Sequence, residues 1–481
     1  MSNVQIMENH IQNIANLVEG KKDKWTSVSD KIWEIAEIRY DEYRSAEVIC
    51  EALESEGFSV ERNLADIPTA FVGSFGSGNP VVAILGEYDA LSGLSQKGGV
   101  ACAEPVEAGG NGHGCGHNLL GTGSLAAAVA LKDMMEKEGL QGTVRYYGCP
   151  AEEGGSGKTY MARSGCFNDV DFALSWHPWT NNRVLPGNSL ANCQVYYKFK
   201  GKSAHAAVQP HLGRSALDAV ELMNVGVNYL REHIISEARV HYAITNTGGL
   251  SPNVVQAEAE VLYLIRAPKT NQVQEIYKRV CDIARGAALM TGTEVEIVFD
   301  KACSNLVPNV TLNAKMAEVL KEIGAPTYSE QEIQFAKELQ ATLSKEDIMN
   351  DISKFPKEVS EKIKNTPIFD MIYPYSDSIA DEPLGGSTDV GDVSWIVPTA
   401  QVGTACWVLG TPAHTWQVVT IGSTSIGHKG MLLAGKVMAG TALEVIKNPE
   451  LLKKAKEELK DRLGDDAYQN PIPAEVLPRI K

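Results

Sequence analysis

Short apolar strands alternate with helices over much of this chain, and this alternation constrains its fold more than any other feature. Gly-bounded apolar runs predict strands, and an Ala- and Leu-rich stretch at 119–135 predicts a helix between them. The predicted strands lie at 70–73, 80–86, 143–147 and 172–175. Upstream, residues 27–58 carry apolar side chains at helical intervals. Strands that alternate with helices form an α/β sheet, so we expect this fold class.

A second pattern begins near Ala191, where strand, helix, strand, strand, helix and strand follow one another. These elements are predicted at 194–199, 215–232, 241–245, 261–265, 273–288 and 295–299. Their order is that of a ferredoxin-like α+β domain. After Leu306 the helical patterns return, so the second domain interrupts the first. We therefore expect residues 1–190 and 307–481 to form one domain in two segments, and residues 191–306 to form an inserted domain. The polar, Lys-rich stretch at 340–382 has no predicted structure.

Composition argues against several classes of protein. A length of 481 residues suits two or three domains, and no apolar run approaches the roughly 20 residues of a membrane helix. The net charge of -16 disfavours a nucleic-acid partner, because phosphate binding requires clustered Lys and Arg. The first residues lack a basic segment followed by an apolar core, so we expect a cytoplasmic location. Nine scattered cysteines are expected to be reduced, so a cysteine with a special role is a metal ligand or a nucleophile.

The strongest candidate for a site is the sequence His113-Gly114-Cys115-Gly116-His117, which precedes the predicted helix at 119–135. Open α/β sheets bind ligands in the loops at their strand ends. The glycines beside Cys115 allow the backbone to bend, so that thiolate and imidazole can converge on one ion such as zinc. A lone Cys-x-His pair is more often a buried thiol beside a loop histidine, but three further features favour a metal site.

The first feature is a pair of adjacent carboxylates, Glu152 and Glu153, after the predicted strand at 143–147. At a strand end, one carboxylate can ligate a metal while the other takes a proton from water. The nearby Gly157-Lys158-Thr159 resembles the end of a phosphate-binding loop, but Glu152 stands where that loop needs its first glycine. Nucleotide binding is therefore not expected.

Two histidines are the other features. His177 follows the predicted strand at 172–175, and His414 lies in a loop between two apolar segments. Either histidine alone is more often a surface or capping residue. Together with Cys115, His117 and Glu153 they give five potential ligands of three types at loops of one sheet. Manganese and zinc both accept such a set.

Seven strings of this sequence resemble the aminobenzoyl-glutamate hydrolases, which belong to the superfamily of aminoacylases and zinc carboxypeptidases. The strings are GEYDAL (86–91), HGCGHNLLGTGSLAAA (113–128), CPAEEGGSGKT (149–159), WHP (176–178), GKSAHAA (201–207), HLGRSALDAVELM (211–223) and STDVGDVSW (387–395). The resemblance implies a metal-dependent hydrolase that cleaves the amide bond of an N-acyl amino acid, with p-aminobenzoyl-glutamate as the expected substrate. It also implies a catalytic α/β domain in two segments, with a mixed sheet flanked by helices, and an inserted ferredoxin-like lid or dimerisation domain.

Carried over residue by residue, the resemblance also implies roles for individual side chains. It implies two divalent ions, manganese or zinc, with the ligands Cys115, His117, Glu153, His177 and His414. It makes Glu152 the general base and Asp89 a carboxylate that orients a ligand imidazole. His205 of the lid would reach across a dimer interface to the carbonyl oxygen of the substrate. Asn253 would bind the substrate, and Arg266, a cation in an otherwise apolar strand, would bind its carboxylate; a structural salt bridge is the alternative for Arg266.

The match has one departure. Typical carboxypeptidase relatives have a metal-binding histidine where this chain has Glu87 and a bridging aspartate where it has His117. The Cys-Gly-His arrangement is instead that of the hydrolases of indole-acetyl amino acids.

Two other functions stay open. One is a cysteine hydrolase with Cys115 as nucleophile and His117 as base, although residues two apart in one loop rarely align for this chemistry. The other is a non-catalytic partner of a homologous hydrolase. The working assembly is expected to be a homodimer or a heterodimer with a homologous A subunit.

Overall fold

The computed structural model describes residues 3–185, 187–380 and 385–480. Its helices are α1 (Asn3–Gly20), α2 (Lys22–Ile35), α3 (Tyr43–Ser55), α4 (His117–Glu138), α5 (Gly157–Arg163), α6 (Ala216–Leu230), α7 (Thr270–Thr291), α8 (Val310–Ile323), α9 (Glu330–Gln340), α10 (Lys345–Ile352), α11 (Lys357–Ile363), α12 (Val390–Ser394), α13 (Trp416–Ile421), α14 (Ser425–Lys447) and α15 (Pro449–Leu463). Its strands are β1 (Ser59–Arg62), β2 (Phe71–Ser77), β3 (Val81–Glu87), β4 (Gly142–Cys149), β5 (Phe172–Trp179), β6 (Arg183–Val184), β7 (Ala191–Lys200), β8 (Arg239–Asn246), β9 (Glu258–Ala267), β10 (Glu294–Cys303) and β11 (Thr399–Ala405).

The larger sheet has the strand order β1-β2-β4-β3-β5-β11-β6. Its central strands β4, β3, β5 and β11 run parallel, whereas β1, β2 and β6 pair antiparallel. Strand β3 is buried along its whole length, as a central strand covered on both faces should be. The predicted α/β class with a mixed sheet is therefore confirmed. Because the four central strands are parallel, their carboxyl ends meet along one edge of the sheet.

Helices α4 and α14 form the main layer on this sheet, with α4 on β3 and α14 on β5 and β11. Every residue of α4 from His117 to Leu131 is buried, which explains its Ala- and Gly-rich sequence. Gly123 allows a close approach to the sheet, since a Cβ there would lie 2.7 Å from the ring of Trp176. The Trp176 indole in turn donates a hydrogen bond to the carbonyl oxygen of Leu120 at 2.9 Å. This packing fixes the start of α4, and with it His117, relative to the sheet.

The smaller sheet has the order β10-β7-β9-β8 and is antiparallel throughout, with α6 and α7 in the connections. This is the ferredoxin-like order predicted from the sequence. Buried and partly exposed residues alternate along β9, so one face of the sheet packs on the helices and the other faces outward. Strand β8 forms an edge, and most of its side chains are exposed.

The helical pattern at 27–58 is interrupted in the structure, because α2 ends at Ile35 and α3 begins at Tyr43. Ala36 and Tyr40 between them have positive φ angles. The Tyr40 hydroxyl donates a hydrogen bond to the carbonyl oxygen of Gly155 at 2.8 Å. A contact with a distant loop thus holds the break, and local periodicity does not record such a contact.

The stretch at 340–382, for which no structure was predicted, contains α10 and α11. It contacts the loop that follows β11: the backbone N–H of Gly410 donates to Asp351 Oδ2 at 3.0 Å. At the first residue of this stretch, Gln340 Nε2 donates to the carbonyl oxygen of Leu409 at 3.0 Å. This segment therefore supports the loop that carries His414.

No described helix is long and apolar enough to cross a membrane. All nine cysteines lie in the described ranges, and each is a free thiol.

Candidate metal centre

Seven of the predicted site residues lie together at the edge where the parallel strands end. Asp89 follows β3, and Glu152 and Glu153 follow β4. His177 lies within β5, which extends past the predicted strand end, and His414 lies in the loop between β11 and α13. Cys115 and His117 stand at the start of α4. Because strands β3, β4, β5 and β11 are parallel, loops far apart in sequence bring these side chains to one place.

Two groups of potential ligand atoms share the Cys115 sulfur. One group is Cys115, His117 and His177, and the other is Cys115, Glu153 and His414. Within each group the ligand atoms lie within 4.8 Å of one another, so one ion could contact all three. A third group at this edge consists of Glu87, His117 and Glu152. The five predicted ligands thus form two adjacent three-residue groups joined by one thiol.

Asp89 contacts two of these potential ligands. Its Oδ1 accepts a hydrogen bond from His117 Nδ1 at 2.8 Å, and its Oδ2 accepts one from the backbone N–H of Glu153 at 2.9 Å. The Nε2 atom of His117 therefore faces the centre as the free ring nitrogen. An outer carboxylate that fixes the tautomer of a ligand histidine is a common feature of metal sites.

The residues fit a metal, because two buried donor atoms are left unpaired. Neither His117 Nε2 nor Glu153 Oε1 has a hydrogen-bond partner among the described residues. Glu87 Oε2 lies 3.4 Å from the first atom and His414 Nε2 lies 3.3 Å from the second, but neither contact has hydrogen-bond geometry. Buried polar atoms are rarely left without a partner. A set of Cys, His and Glu donors suits zinc or manganese.

The two remaining histidines are held differently. His177 Nδ1 donates to the carbonyl oxygen of Pro178 at 2.7 Å, and its Nε2 lies 3.5 Å from Cys115 Sγ. The rings of Trp179 and Trp407 meet His177 edge to face. His414 has a φ of 62° and a side chain that is 53% exposed. Its backbone N–H donates to the carbonyl oxygen of Gly114 at 2.8 Å, which joins its loop to the Cys115 loop.

Burial and neighbouring charges shift the pKa values at the centre. Burial raises the pKa of the Cys115 thiol well above its ordinary value and lowers that of His177 to about 4. Burial, together with Glu87 and Glu153, raises the pKa of Glu152 well above its ordinary value. Burial opposes ionisation of Glu153, but the nearby imidazoles of His414 and His117 lower its pKa overall. Without a metal the centre thus holds a neutral thiol, which must lose its proton to become a ligand.

A buried cluster of charged residues lies beside this centre, and the sequence analysis gave it no role. It consists of Glu87, Lys158 and Asp389. Lys158 Nζ lies 2.6 Å from Glu87 Oε1 and 2.6 Å from Asp389 Oδ1. The backbone N–H of Lys158 donates to Asp389 Oδ2 at 2.8 Å. Burial alone would lower the pKa of Lys158, but Asp389 and Glu87 raise it well above its ordinary value. All three residues lie in strings that carry the family resemblance, which was the one signal available for them.

Arg266, one of the two predicted substrate-binding residues, lies near the centre. Its Nη1 donates to Ser387 Oγ at 2.7 Å, and the Glu152 carboxylate is close enough to influence its pKa, which burial lowers. Among the residues that the structure describes, the one side-chain partner of Arg266 is this hydroxyl. Carboxylate binding by Arg266, with a structural salt bridge as the alternative, stays a prediction.

His205 and Asn253 lie away from the centre, on exposed loops of the 191–306 segment. The two loops are adjacent, since the backbone N–H of Ala206 donates to the carbonyl oxygen of Asn253 at 3.0 Å. Within the described ranges, neither side chain has a hydrogen bond or ion pair to a residue of the centre. The structure therefore brings together seven predicted site residues with Arg266 at their side, and separates these two.

Comparisons with known proteins show the family and the fold of the chain. Residues 83–349 match the model of Peptidase family M20/M25/M40. The chain is 52% identical to the B subunit of p-aminobenzoyl-glutamate hydrolase from Escherichia coli (strain K12) over 472 residues, which cover 97% of this chain and 98% of that protein. It is 30% identical to the A subunit of the same hydrolase over 253 residues, 48% of this chain and 57% of that protein. The fold is similar to that of a dinuclear metal-binding peptidase of the M20 family from Bacillus subtilis, with a TM-score of 0.54, 17% identity and coverage of 89% and 99% of the two chains.

Proposed function

The chain belongs to Peptidase family M20/M25/M40 and is a metal-dependent amidohydrolase; on this premise we propose that it cleaves the amide bond of p-aminobenzoyl-glutamate. The products would be p-aminobenzoate and glutamate. The observation that carries the proposal is the pair of ligand groups that share Cys115, with the donor atoms of His117 and Glu153 left free. The substrate follows from the name of the relative that is 52% identical over nearly the whole of both chains.

Two divalent ions, zinc or manganese, would be held by Cys115, His117, Glu153, His177 and His414. When bound, such ions polarise a carbonyl group and make water more acidic. The two groups joined by Cys115 support a count of two, and so does the dinuclear peptidase of similar fold. Asp89 would keep His117 Nε2 and the Glu153 backbone directed at the centre.

Glu152 would act as the general base. It belongs to a ligand group at the centre and is adjacent to Glu153, yet it is in neither of the groups that share Cys115. Its carboxylate would take a proton from the attacking water and pass it to the leaving amine nitrogen. The burial that raises the pKa of Glu152 makes its carboxylate a stronger base for this proton transfer.

Arg266 would bind the free α-carboxylate of the substrate. A guanidinium presents a planar fork that matches a carboxylate. In the described residues its one side-chain hydrogen bond is to the Ser387 hydroxyl, so its charge is available to a ligand. Asn253 would add a contact to the substrate.

His205 and Asn253 would reach the centre of a second copy, with residues 191–306 acting as the lid and dimerisation domain. Both lie on exposed loops, and the loops also expose the apolar side chains of Val208, Leu250 and Val254. Exposed apolar side chains grouped in this way favour an interface. His205 would then donate a hydrogen bond to the developing oxyanion. The names of the two hydrolase relatives leave a heterodimer with a homologous A subunit as the other assembly.

The first experiment tests the reaction class and the substrate together. Metal-loaded protein should release p-aminobenzoate from p-aminobenzoyl-glutamate, should lose this activity with a chelator, and should regain it with zinc or manganese. The α-amide of the substrate should be poor. If an alkylating agent abolishes activity and a chelator does not, the protein is a cysteine hydrolase. If the protein is inactive with every metal, it is a non-catalytic partner.

The second experiment tests the shared site. Glu152→Gln and His205→Ala should each be nearly inactive alone. An equal mixture of the two variants, after subunit exchange, should regain roughly a quarter of wild-type activity, because about half the dimers are mixed and each of these has one complete site of two. If mixing restores no activity while co-purification of differently tagged variants shows mixed dimers, His205 does not act in the partner.

A further inference from the structure

The third ligand group at the metal centre differs from the two that share Cys115, because an ammonium group already contacts it. In the group of Glu87, His117 and Glu152, one oxygen of Glu87 lies 2.6 Å from Lys158 Nζ. The other oxygen of Glu87 lies 3.4 Å from His117 Nε2. Lys158 therefore places a positive charge where a third ion would have to bind.

The Lys158 ammonium cannot easily move away. Its side chain is 0% exposed and lies between the carboxylates of Glu87 and Asp389. Two further bonds tie α5 to α12: the Lys158 backbone N–H donates to Asp389, and the Thr159 hydroxyl donates to Asp392 Oδ2 at 2.6 Å. If the ammonium left, two buried carboxylates would lose their partner, which is strongly unfavourable.

His117 limits the third group in a second way. Its Nδ1 is bonded to Asp89, so only Nε2 can reach an ion. Since each residue offers one ligand atom and Nδ1 is engaged, the same nitrogen must serve the group with Cys115 and His177. One imidazole nitrogen serves one ion, so an ion held by Cys115, His117 and His177 leaves the third group with two carboxylates, one of which is bound to Lys158.

We propose that Lys158 is a fixed cation that takes the place of a metal ion at the group of Glu87, His117 and Glu152. The chain then holds two metal ions, both at the groups that share Cys115, and Glu87 is a partner of Lys158 and not a ligand. This inference rests on the proposed metal centre and adds to it the reason why the number of ions stops at two.

Metal content per chain, measured by elemental analysis after dialysis from excess zinc or manganese, tests the inference. The wild type should hold two ions. Glu87→Gln should also hold two, because Lys158 keeps Asp389 as a partner. Lys158→Ala removes the ammonium and leaves room for an ion between two carboxylates, so it should hold a third ion. Its melting temperature should keep rising with metal concentration where that of the wild type is constant. Lys158→Arg keeps the charge and should hold two.

The inference is overturned if Glu87→Gln loses an ion, since Glu87 is then a ligand, or if folded Lys158→Ala still holds two. Should Lys158→Ala not fold, Glu87→Gln decides alone. A failure of the metal centre itself looks different: the wild type would then hold no ion, or Cys115→Ser would hold as many ions as the wild type.

Discussion

Asp89→Asn should weaken metal binding although Asp89 is not itself a proposed ligand. Asp89 uses both oxygens, one for His117 Nδ1 at 2.8 Å and one for the Glu153 backbone N–H at 2.9 Å. Asparagine has one acceptor oxygen, and its amide group would point a donor at whichever partner remains. Either the His117 ring turns or the Glu153 backbone shifts. Each of these residues carries a proposed ligand atom, so either movement should displace a ligand.

The expected loss of metal affinity follows from the hydrogen bond that is lost. A hydrogen bond to a charged group contributes about 1.5–3 kcal/mol. At about 1.4 kcal/mol per factor of ten, its loss predicts metal affinity about 10- to 100-fold weaker. The same range is typical for removal of a residue that orients a ligand histidine. Since two ligands depend on Asp89, we expect the upper part of this range.

The assay is a competition for metal between the protein and a chromogenic chelator, and Glu42→Gln is the matched control. Glu42 is buried, and its Oε1 accepts from the backbone N–H of Ala151 at 2.9 Å, in the loop that carries Glu153. Burial and the nearby Asp89 raise the pKa of Glu42 to about 8, so glutamine closely copies its protonated form at neutral pH. The control should bind metal normally. Asp89→Asn affinity within about threefold of the wild type, well below the 10-fold minimum, would refute the orienting role. An equal loss in the control would assign the effect to the loop.

Three further predictions test the other roles. Glu152→Gln should keep its metal and lose turnover by roughly 100-fold or more, as loss of a general base does, whereas Glu153→Ala should lose metal on elemental analysis. The reverse pattern would exchange the two roles. His205→Ala should lower turnover by an amount on the order of 3 kcal/mol at the transition state, with unchanged metal content and melting temperature; a fall in metal content would make His205 a ligand. Arg266→Lys keeps the charge without the fork, so the Michaelis constant for p-aminobenzoyl-glutamate should rise by a factor on the order of 10. Cleavage of the α-amide of the substrate should be little affected by Arg266→Lys. If the wild type cleaves the acid and the amide equally well, Arg266 has a structural role.

The sequence predicts the fold well where local pattern and tertiary environment agree. Strand β3 reads as a continuous apolar run because both of its faces are covered, and β9 alternates because only one is. The break between α2 and α3 was missed for the opposite reason. It depends on the hydroxyl of Tyr40 reaching Gly155, more than a hundred positions away, while the apolar spacing continues on both sides of it.

The location of the centre could be predicted because the parallel strands of the sheet bring its residues to one edge. Once Asp89, Glu152 and His177 are each placed near a strand end, the common direction of the strands brings them together without any knowledge of loop shape. The same logic gives no position for His205, which stands on a loop of the smaller sheet. Its neighbours in the folded chain are exposed apolar residues, and the proposal that it completes a site requires a second chain.

Lys158 shows why it is harder to predict whether a potential metal ligand is free than to predict which residues are potential ligands. In sequence, Gly157-Lys158-Thr159 suggested only a phosphate-binding loop, and Glu152 at the position of its first glycine argued against that. The structure buries this lysine between Glu87 at the end of β3 and Asp389, 231 positions further along the chain. Local strings identify which side chains can donate to a metal. Only long-range pairing determines which of them are free, and it leaves His117 Nε2 and Glu153 Oε1 unpaired while it engages Glu87. If Lys158 takes the place of a metal ion as proposed, the number of ions at the centre is set by Lys158 as much as by the ligands.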